Sequence, residues 1–137
     1  MITSEITYKG GLRTECLHSA SGDCIRTDAP KDNHGKGEAF SPTDLLATSL
    51  GACALTTMAI LAQREDLRID LEGTKVSVIK SMAADPRRVS EVEIVITFNM
   101  KYEGKTRKML ENAALHCPVA RSLHPDLIQK IKFCEPL

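Results

Sequence analysis

Aromatic residues and net charge are both scarce in this sequence. The 137 residues include no tryptophan, two tyrosines and three phenylalanines, so we expect an aliphatic core. Eighteen basic and eighteen acidic residues cancel to a formal net charge of zero. No basic stripe with interleaved aromatic residues is present, which argues against a nucleic-acid-binding surface. A polybasic attraction to a membrane surface is equally unsupported.

The first residues also do not show the pattern of a secretory signal. The opening stretch, MITSEITYKG, lacks the basic and apolar regions of a signal peptide. Five cysteines without such a signal indicate a reducing compartment, so we expect a cytoplasmic protein whose thiols are redox-active, metal-binding or buried. The odd number of cysteines argues against a complete set of structural disulfides.

One uncharged segment, residues 45–63, reaches the length that a membrane span requires. It is rich in small and hydroxyl residues, it has no second copy in the chain, and a helix cap typical of soluble proteins precedes it. We therefore interpret it as a helix buried at the centre of a domain or dimer, and we expect no membrane association. A chain of this length is expected to form one domain over residues 1–137.

Hydrophobic periodicity and turn residues predict an α+β protein in the order β-β-β-α-β-β-α-β. The long helix is expected to run from Ser41 to about Glu65, with Ser41 as N-cap, Pro42 in the first helical position and Asp44 completing a capping box. The predicted strands cover residues 2–8, 12–18, 24–28, 75–82, 91–101 and 127–133, and the shorter helices cover 105–116 and 118–123.

The clearest strand signal lies in residues 91–101. Every second residue there is apolar, which predicts one buried face, formed by Val92, Ile94, Ile96, Phe98 and Met100. Residues 83–88 are expected to form the turn before this strand. Residues 29–40 form a long loop rich in glycine and charge, and loops of that length are often functional.

Two of the five cysteines lie in structured segments and are the candidate reactive groups. Cys53 lies within the long predicted helix, and Cys117 precedes Pro118 at a helix break. The two are 64 residues apart, which excludes a local CxxC redox pair or a metal knuckle. They form a thiol pair only if the fold brings them together.

Cys117 has a local argument for reactivity. It is predicted to cap a short helix, where free N–H groups and the helix dipole stabilise a thiolate. Arg121, one turn further on, could add positive charge. The alternative, equally open from spacing alone, is that Cys117 is a small residue filling a helix kink.

Cys53 lies beyond the first turn of its helix, where the dipole acts. A cysteine buried among apolar groups is inert, so Cys53 needs a cation from elsewhere in the fold. The candidate cations are Arg13, Arg26 and, more weakly, His34 and Lys36.

Asp44 could orient such an arginine, but a capping role is favoured. It lies nine residues before Cys53, which is about 180° around an ideal helix. The remaining cysteines, Cys16, Cys24 and Cys134, lie on predicted strands and show no zinc-ligand spacing. No metal site is predicted.

The segments FSPTDLLATSLGACALTTMAILA and ALHCPVARSL together resemble the OsmC/Ohr family of thiol-dependent hydroperoxide reductases. The Ser-Pro helix opening, the Gly-Ala-Cys and the later Cys-Pro-Val carry the resemblance, and the order of elements fits across nearly the whole chain. The resemblance implies an intertwined homodimer with active sites at the subunit interface and no bound cofactor.

The resemblance also implies roles for individual residues. Cys53 matches the peroxidatic cysteine, whose thiolate attacks the O–O bond and becomes a sulfenic acid. Cys117 matches the resolving cysteine, which closes a disulfide that an external dithiol then reduces by exchange; lipoyl groups serve some family members. Arg13 matches the arginine that stabilises the thiolate by its opposite charge.

The sequence departs from the family pattern at the start of the long helix. Peroxidase members carry a glutamate there that holds the arginine, whereas this chain has Thr43 and Asp44. Glu38 in the preceding loop is the candidate substitute, and the chain is closer to the broad OsmC-like branch than to the organic-hydroperoxide branch.

The expected function is therefore thiol-dependent reduction of hydroperoxides, preferably organic ones. One alternative is a non-catalytic OsmC-like, stress-associated protein that binds an apolar ligand. The absence of the family glutamate at the start of the long helix motivates this alternative. The other is a metal-binding protein that uses cysteines and histidines.

Overall fold

The computed structural model describes residues 1–64 and 67–137. It has the predicted α+β character. The strands are β1 (Ser4–Gly10), β2 (Arg13–His18), β3 (Cys24–Asp28), β4 (Lys75–Ala84), β5 (Arg87–Thr97) and β6 (Ile128–Cys134). The helices are α1 (Pro42–Arg64), α2 (Gly104–Leu115) and α3 (Pro118–Ser122), with a single 3₁₀ turn at Lys31–Asn33. The predicted end of the long helix, Glu65, lies outside the described residues.

The chain divides into two compact units, Met1–Leu46 and Ala47–Leu137. The first unit contains an antiparallel sheet in the order β1-β2-β3. Gly10 and Gly11 adopt positive φ angles of 81° and 62° in the turn between β1 and β2, a conformation that glycine adopts readily. Ile6, Cys16 and Ile25 are paired in register across the three strands, so they share one face of this sheet.

The long loop after β3 returns to the end of that strand. The backbone N–H of Asp28 donates to the carbonyl of Phe40 at 3.0 Å, and that of Gly37 donates to the carbonyl of Ala29 at 3.1 Å. The N–H of Glu38 donates to Asp28 Oδ2 at 2.9 Å. These bonds give the loop the closed ends of an Ω-loop and hold Glu38 beside the end of β3.

The capping box predicted at the start of α1 is confirmed. The N–H of Asp44 donates to Ser41 Oγ at 3.0 Å, and the N–H of Ser41 donates to Asp44 Oδ2 at 2.9 Å. Two amide groups that a helix start leaves unpaired are thus satisfied reciprocally, with aspartate in the place of the usual glutamate.

The second unit contains a sheet in the order β4-β5-β6, in which β5 and β6 run parallel. The predicted alternation of β5 is confirmed for Val92, Ile94 and Ile96, which are fully buried. Phe98, just past the strand, is also buried and stacks on Phe133 with ring centroids 6.1 Å apart. This buried row forms the centre of the hydrophobic core.

Two predictions for the central hairpin are wrong. Met100 does not continue the buried face and is 54% exposed, because β5 ends at Thr97 and the alternation ends with it. The turn is also shorter than residues 83–88. Pairing continues as far as Ala84 and Arg87, past a shift in register between Ser81 and Met82.

Helix α1 is buried along one face within this chain. The buried residues recur at helical spacing and are Ala47, Leu50, Gly51, Ala54, Met58 and Ala62. Leu46 and Ile60 are exposed. Among the helices of the described residues, α1 is long and apolar enough to cross a membrane, with a mean hydropathy of 1.9; the core helix of a globular domain can have the same composition.

Gly51 lets α1 approach the sheet closely. A Cβ atom at this position would lie 3.0 Å from Val76 Cγ1 and 3.1 Å from Val78 Cγ2, both of which are β4 side chains. These distances are shorter than ordinary van der Waals contact. The helix therefore needs a residue without a side chain here.

We expect Gly51→Val to lower the free energy of unfolding by about 2 kcal/mol or more, because the added carbons overpack the contact with β4. The matched control is Ala52→Val on the exposed side of the same helix, which should cost only about 0.5 kcal/mol in helix propensity. Urea denaturation of both variants measures the difference. Equal destabilisation by the two substitutions would contradict the close approach.

Candidate functional site

The fold brings Cys53 and Cys117 together. Cys53 lies in the middle of α1, and Cys117 lies between α2 and α3. Cys53 lies close enough to Cys117 to add to the effect of burial in raising the pKa of that thiol, and both thiols are free rather than joined in a disulfide. Cys53 is half-buried, whereas Cys117 is fully buried. The two sulfurs therefore form a pair with one accessible and one enclosed member.

Cys117 occupies the predicted N-cap of the short helix. Its φ and ψ of −65° and 156° are extended, and Pro118 follows as the first helical residue. The backbone N–H of Ala120 donates to Cys117 Sγ at 3.4 Å. The sulfur thus takes the place that a serine or aspartate oxygen often fills at a helix start.

The amides at this helix start favour the Cys117 thiolate, as predicted, but they do not determine the net direction of its pKa shift. Burial raises the pKa of the Cys117 thiol, and contact with Cys53 raises it further; the amides of Ala120 and Val119 act in the opposite direction but do not prevail. Desolvation disfavours the charged thiolate more than these two amides favour it. Arg121 adds no compensating contact, because its Nε donates to the carbonyl of His116 at 3.1 Å.

Cys53 has a polar neighbour on its own helix. Its Sγ lies 3.9 Å from Thr57 Oγ1, one helical turn further along. Residues four apart lie on the same side of a helix, so the spacing of Cys53 and Thr57 is compatible with this contact. Thr57 was missed in the sequence because that spacing alone does not distinguish it from the other hydroxyl residues of the helix.

Arg13, the predicted cation, is held by two carboxylates within the first unit. Its Nη2 lies 2.6 Å from Glu38 Oε2 and 3.4 Å from Asp28 Oδ2. The hydrogen bond with Glu38 is the largest of the effects that raise the pKa of Arg13. Glu38 therefore contacts the arginine in the way expected of a substitute for the missing helix glutamate, and we call Arg13, Asp28 and Glu38 the arginine clamp.

Asp28 is the clamp residue that sequence reasoning missed. Its side chain is 1% exposed, and its Oδ2 accepts both the amide of Glu38 and the guanidinium of Arg13. The Glu38 amide, followed by Arg13, lowers the pKa of Asp28 against the effect of burial. Oδ1 has no hydrogen-bond partner among residues 1–64 and 67–137. Only its position as the last residue of a strand before a long loop could have indicated a role.

A depression of about 590 Å³ adjoins the clamp in the first unit. It is lined by both polar and apolar groups, including Lys9, Arg13, Arg26 and Glu38. Arg26, the second candidate cation, is largely exposed and lies 4.0 Å from Glu15. His34 and Lys36 are exposed in the loop.

The predicted site residues thus form two clusters, each within one unit. The arginine clamp belongs to the first unit and the thiol pair to the second. Asp44 belongs to neither cluster and is engaged in the capping box with Ser41.

The other three cysteines lie on strands and are not among the residues of the two clusters. Cys16 is half-buried in β2, while Cys24 and Cys134 are exposed at strand ends. Across the part of the chain that the structure describes, no group of three His, Cys, Asp or Glu side chains is arranged to hold a metal ion.

Comparison with known sequences identifies the family. The family profile described as OsmC-like protein matches residues 35–131, which is most of the chain and includes both Cys53 and Cys117. The chain therefore belongs to the OsmC family. It is also 24% identical over 121 residues to the uncharacterised protein YmaD of Bacillus subtilis (strain 168), covering 82% of this chain and 80% of YmaD.

Solved structures agree with this family and fold. A structure from Psychrobacter arcticus 273-4 is 59% identical, with a TM-score of 0.92 and coverage of 97% of this chain and 96% of that one. The organic hydroperoxide resistance protein OhrB of Bacillus subtilis is 18% identical, with a TM-score of 0.69 and coverage of 96% and 98%. The α+β architecture predicted from sequence is thus that of OsmC and Ohr proteins.

We expect Asp28→Asn to lower the free energy of unfolding at pH 7, because the amide cannot supply the charge that holds Arg13 and the Glu38 amide. The folded-state pKa of Asp28 is below its ordinary value of 3.8, so its carboxylate stabilises the fold above about pH 4, and this contribution is lost as the pH falls through the folded-state pKa. The difference between wild type and variant should therefore shrink below pH 4. Urea denaturation at several pH values measures it.

The control for this prediction is Asp23→Asn, which changes an exposed aspartate just before β3. It should alter stability little at any pH. If the two variants show the same pH dependence, Asp28 does not carry the clamp.

Proposed function

We propose that this protein is a thiol-dependent peroxidase that reduces organic hydroperoxides through Cys53 and Cys117. The observation that carries the proposal is the closeness of two free thiols from segments that are distant in sequence, near enough for Cys53 to affect the pKa of Cys117. A thiol in contact with a second thiol can be oxidised to a sulfenic acid and then captured as a disulfide. Such a pair transfers two electrons to a peroxide without a bound cofactor.

In the proposed reaction, the Cys53 thiolate attacks the distal oxygen of ROOH, the O–O bond breaks, and ROH leaves. Cys53 is then a sulfenic acid. Cys117 attacks its sulfur, water leaves, and a disulfide forms. Cys53 suits the first role because it is the more accessible sulfur, whereas burial encloses Cys117 and raises its pKa.

An external dithiol completes the proposed cycle. One of its thiolates attacks the disulfide, its second thiol displaces the resulting mixed disulfide, and the donor leaves oxidised with both cysteines reduced. Lipoyl groups, which are the dithiols expected from the family resemblance, suit this chemistry because their two thiols close an intramolecular disulfide. We place the reaction in the cytoplasm, where such donors are kept reduced.

Arg13 is proposed to stabilise the Cys53 thiolate and the leaving oxygen in a homodimer with active sites at the subunit interface. A cation near a thiol favours its ionisation, and Glu38 and Asp28 restrict the orientations of this guanidinium. Exposed apolar side chains support self-association. Ile6 and Ile25 are 66% and 51% exposed on one face of the first sheet, and Ile60 is 50% exposed on α1.

Relatives support the same chemical class. The structure from Psychrobacter arcticus carries the provisional description of an osmotic stress induced and detoxification response protein. Structures from Legionella pneumophila and Elizabethkingia anophelis, at 18% and 16% identity, are described as organic hydroperoxide resistance proteins. At that identity the likeness supports a shared fold alone, so the proposed activity of this chain is argued from its own thiol pair.

The proposal predicts steady turnover of cumene hydroperoxide with dihydrolipoamide. Cys53→Ser is expected to reduce turnover by roughly 1,000-fold, because it removes the nucleophile. Cys117→Ser should retain one round of peroxide reduction and lose steady turnover. The control is Cys134→Ser, an exposed cysteine at the end of β6, which should behave as wild type.

Mass spectrometry of the same samples separates the proposal from the alternative of a non-catalytic protein that binds an apolar ligand. One equivalent of peroxide should yield a peptide in which Cys53 and Cys117 are linked. Wild-type turnover equal to that of Cys53→Ser, with no linked peptide, is the result that rules out the peroxidase.

The role of Arg13 predicts a change in the pH dependence of Cys53 alkylation. In a Cys117→Ser background, Arg13→Met should move the midpoint of iodoacetamide alkylation to higher pH by about one unit, because an opposing charge is lost. Arg26→Met is the matched control, since Arg26 lies on the adjacent strand and is largely exposed. Identical profiles for the two variants would assign Arg13 a purely structural role.

A further inference from the structure

A glutamine occupies an apolar row on the inner face of the second sheet. On β6 the half-buried positions are Gln129, Ile131 and Phe133, and they pair in register with buried residues of β5. Gln129 is the only polar residue among these three, and it lies opposite the fully buried Val92. A polar side chain in such a row is costly unless it is hydrogen-bonded.

The side chain of Gln129 is bonded to α3. Its Nε2 donates to the carbonyl of Ala120 at 2.9 Å. Helix α3 has five residues and ends at Ser122, so its last carbonyls lack the partners that a longer helix would supply. Gln129 supplies one of these partners from the sheet.

Ala120 also contacts the sulfur of Cys117. Its backbone N–H donates to Cys117 Sγ, while its carbonyl accepts from Gln129. A helix of five residues is not stable by itself, so the position of Ala120 depends on such contacts. The side chain of Gln129 therefore restrains the residue whose amide holds the sulfur.

We propose that Gln129 is a positioning residue for thiol exchange, which fixes Ala120 and thereby holds Cys117 Sγ in place for making and breaking its bond to Cys53. This inference rests on the proposed function and deepens it. The side chain of Gln129 is bonded to Ala120, so its effect on Cys117 acts through that residue.

The proposal assigns Gln129 to two steps of the cycle. When the disulfide forms, Cys117 loses its proton, its sulfur bonds to Cys53 Sγ, and the sulfenic oxygen leaves as water. When an external thiolate attacks Cys53 Sγ, the S–S bond breaks and its electron pair leaves on Cys117 Sγ. The Ala120 amide stabilises that charge in both steps, whereas the attack of Cys53 on peroxide precedes them.

The surroundings of Cys117 leave few other groups for this task. Cys53 on α1 is a titratable neighbour that affects this thiol, and the amide of Ala120 donates to its sulfur at 3.4 Å. Arg121 is engaged by the carbonyl of His116, and the His116 ring contacts the carbonyl of Asn112.

The test compares Gln129→Met, which keeps the length of the side chain but has no N–H donor, with wild type. Disulfide formation after one equivalent of peroxide should slow about five-fold, as expected for the loss of one hydrogen bond. Sulfenic acid formation on Cys53, measured in the same rapid-quench samples, should be unchanged. Gln129→Glu is the second variant, because its ionised carboxylate has a similar shape but only accepts hydrogen bonds.

The matched control is Lys130→Met, the next residue on β6. Lys130 lies on the opposite face, where its Nζ is 3.1 Å from Glu91, and its substitution should leave both steps unchanged. Rates for Gln129→Met and Gln129→Glu equal to those of Lys130→Met would overturn the proposal. Equal slowing of the peroxide step would also overturn it, since that result indicates a general distortion.

A peroxide-free measurement separates this inference from the peroxidase proposal. The Cys53–Cys117 disulfide is formed with diamide, and its reduction by dithiothreitol is followed by mass spectrometry. Gln129→Met should be reduced about five-fold more slowly than Lys130→Met, even if the wild-type protein does not turn over hydroperoxides. A wild-type protein that forms no such disulfide with diamide would overturn the inference as well.

Discussion

The close packing of α1 on β4 at Gly51 is the constraint on which the second unit depends. The helix can lie against Val76 and Val78 because no side chain intervenes. Ala47 and Ala54 are small residues buried on the same face of the helix. Close packing fixes the rotation of a helix as well as its distance from the sheet. Cys53, two residues after Gly51, is half-buried and lies close enough to Cys117 to affect its pKa.

The two sulfurs differ because they are fixed by different kinds of structure. Cys53 is carried by a long helix with a packed face and has the hydroxyl of Thr57 beside it. Cys117 lies at a helix break, enclosed by the core and held by one amide. In the proposed mechanism the two sulfurs have different roles: Cys53 is open to the substrate, whereas Cys117 stays enclosed until it reacts with Cys53.

Much of the local structure could be predicted from sequence, because it depends on neighbours in the chain. The capping box at Ser41 and Asp44 and the buried alternation of β5 are of this kind. The prediction was wrong at Met100 because the alternation gives no signal for where pairing stops. The net direction of the Cys117 pKa shift could not be predicted, because a helix start is visible in the sequence whereas the depth of burial is a property of the whole fold.

The candidate site was predicted less completely than the fold. Cys53, Cys117 and Arg13 were candidates from the residues themselves, and the family resemblance gave them roles and led to Glu38. Asp28 and Gln129 were missed because each contacts groups that a loop or another element brings to it. A buried polar residue that pairs with a distant backbone group leaves no spacing pattern in the chain.

The arginine clamp has a consequence for how this chain can vary. Its two carboxylates come from the end of β3 and from the loop that follows, while the acid at the start of α1 is committed to the helix cap. Holding the guanidinium and starting the helix are therefore separate tasks, carried by separate residues. Substitutions at Glu38 can therefore change how the guanidinium is held while the capping box at the start of α1 stays intact.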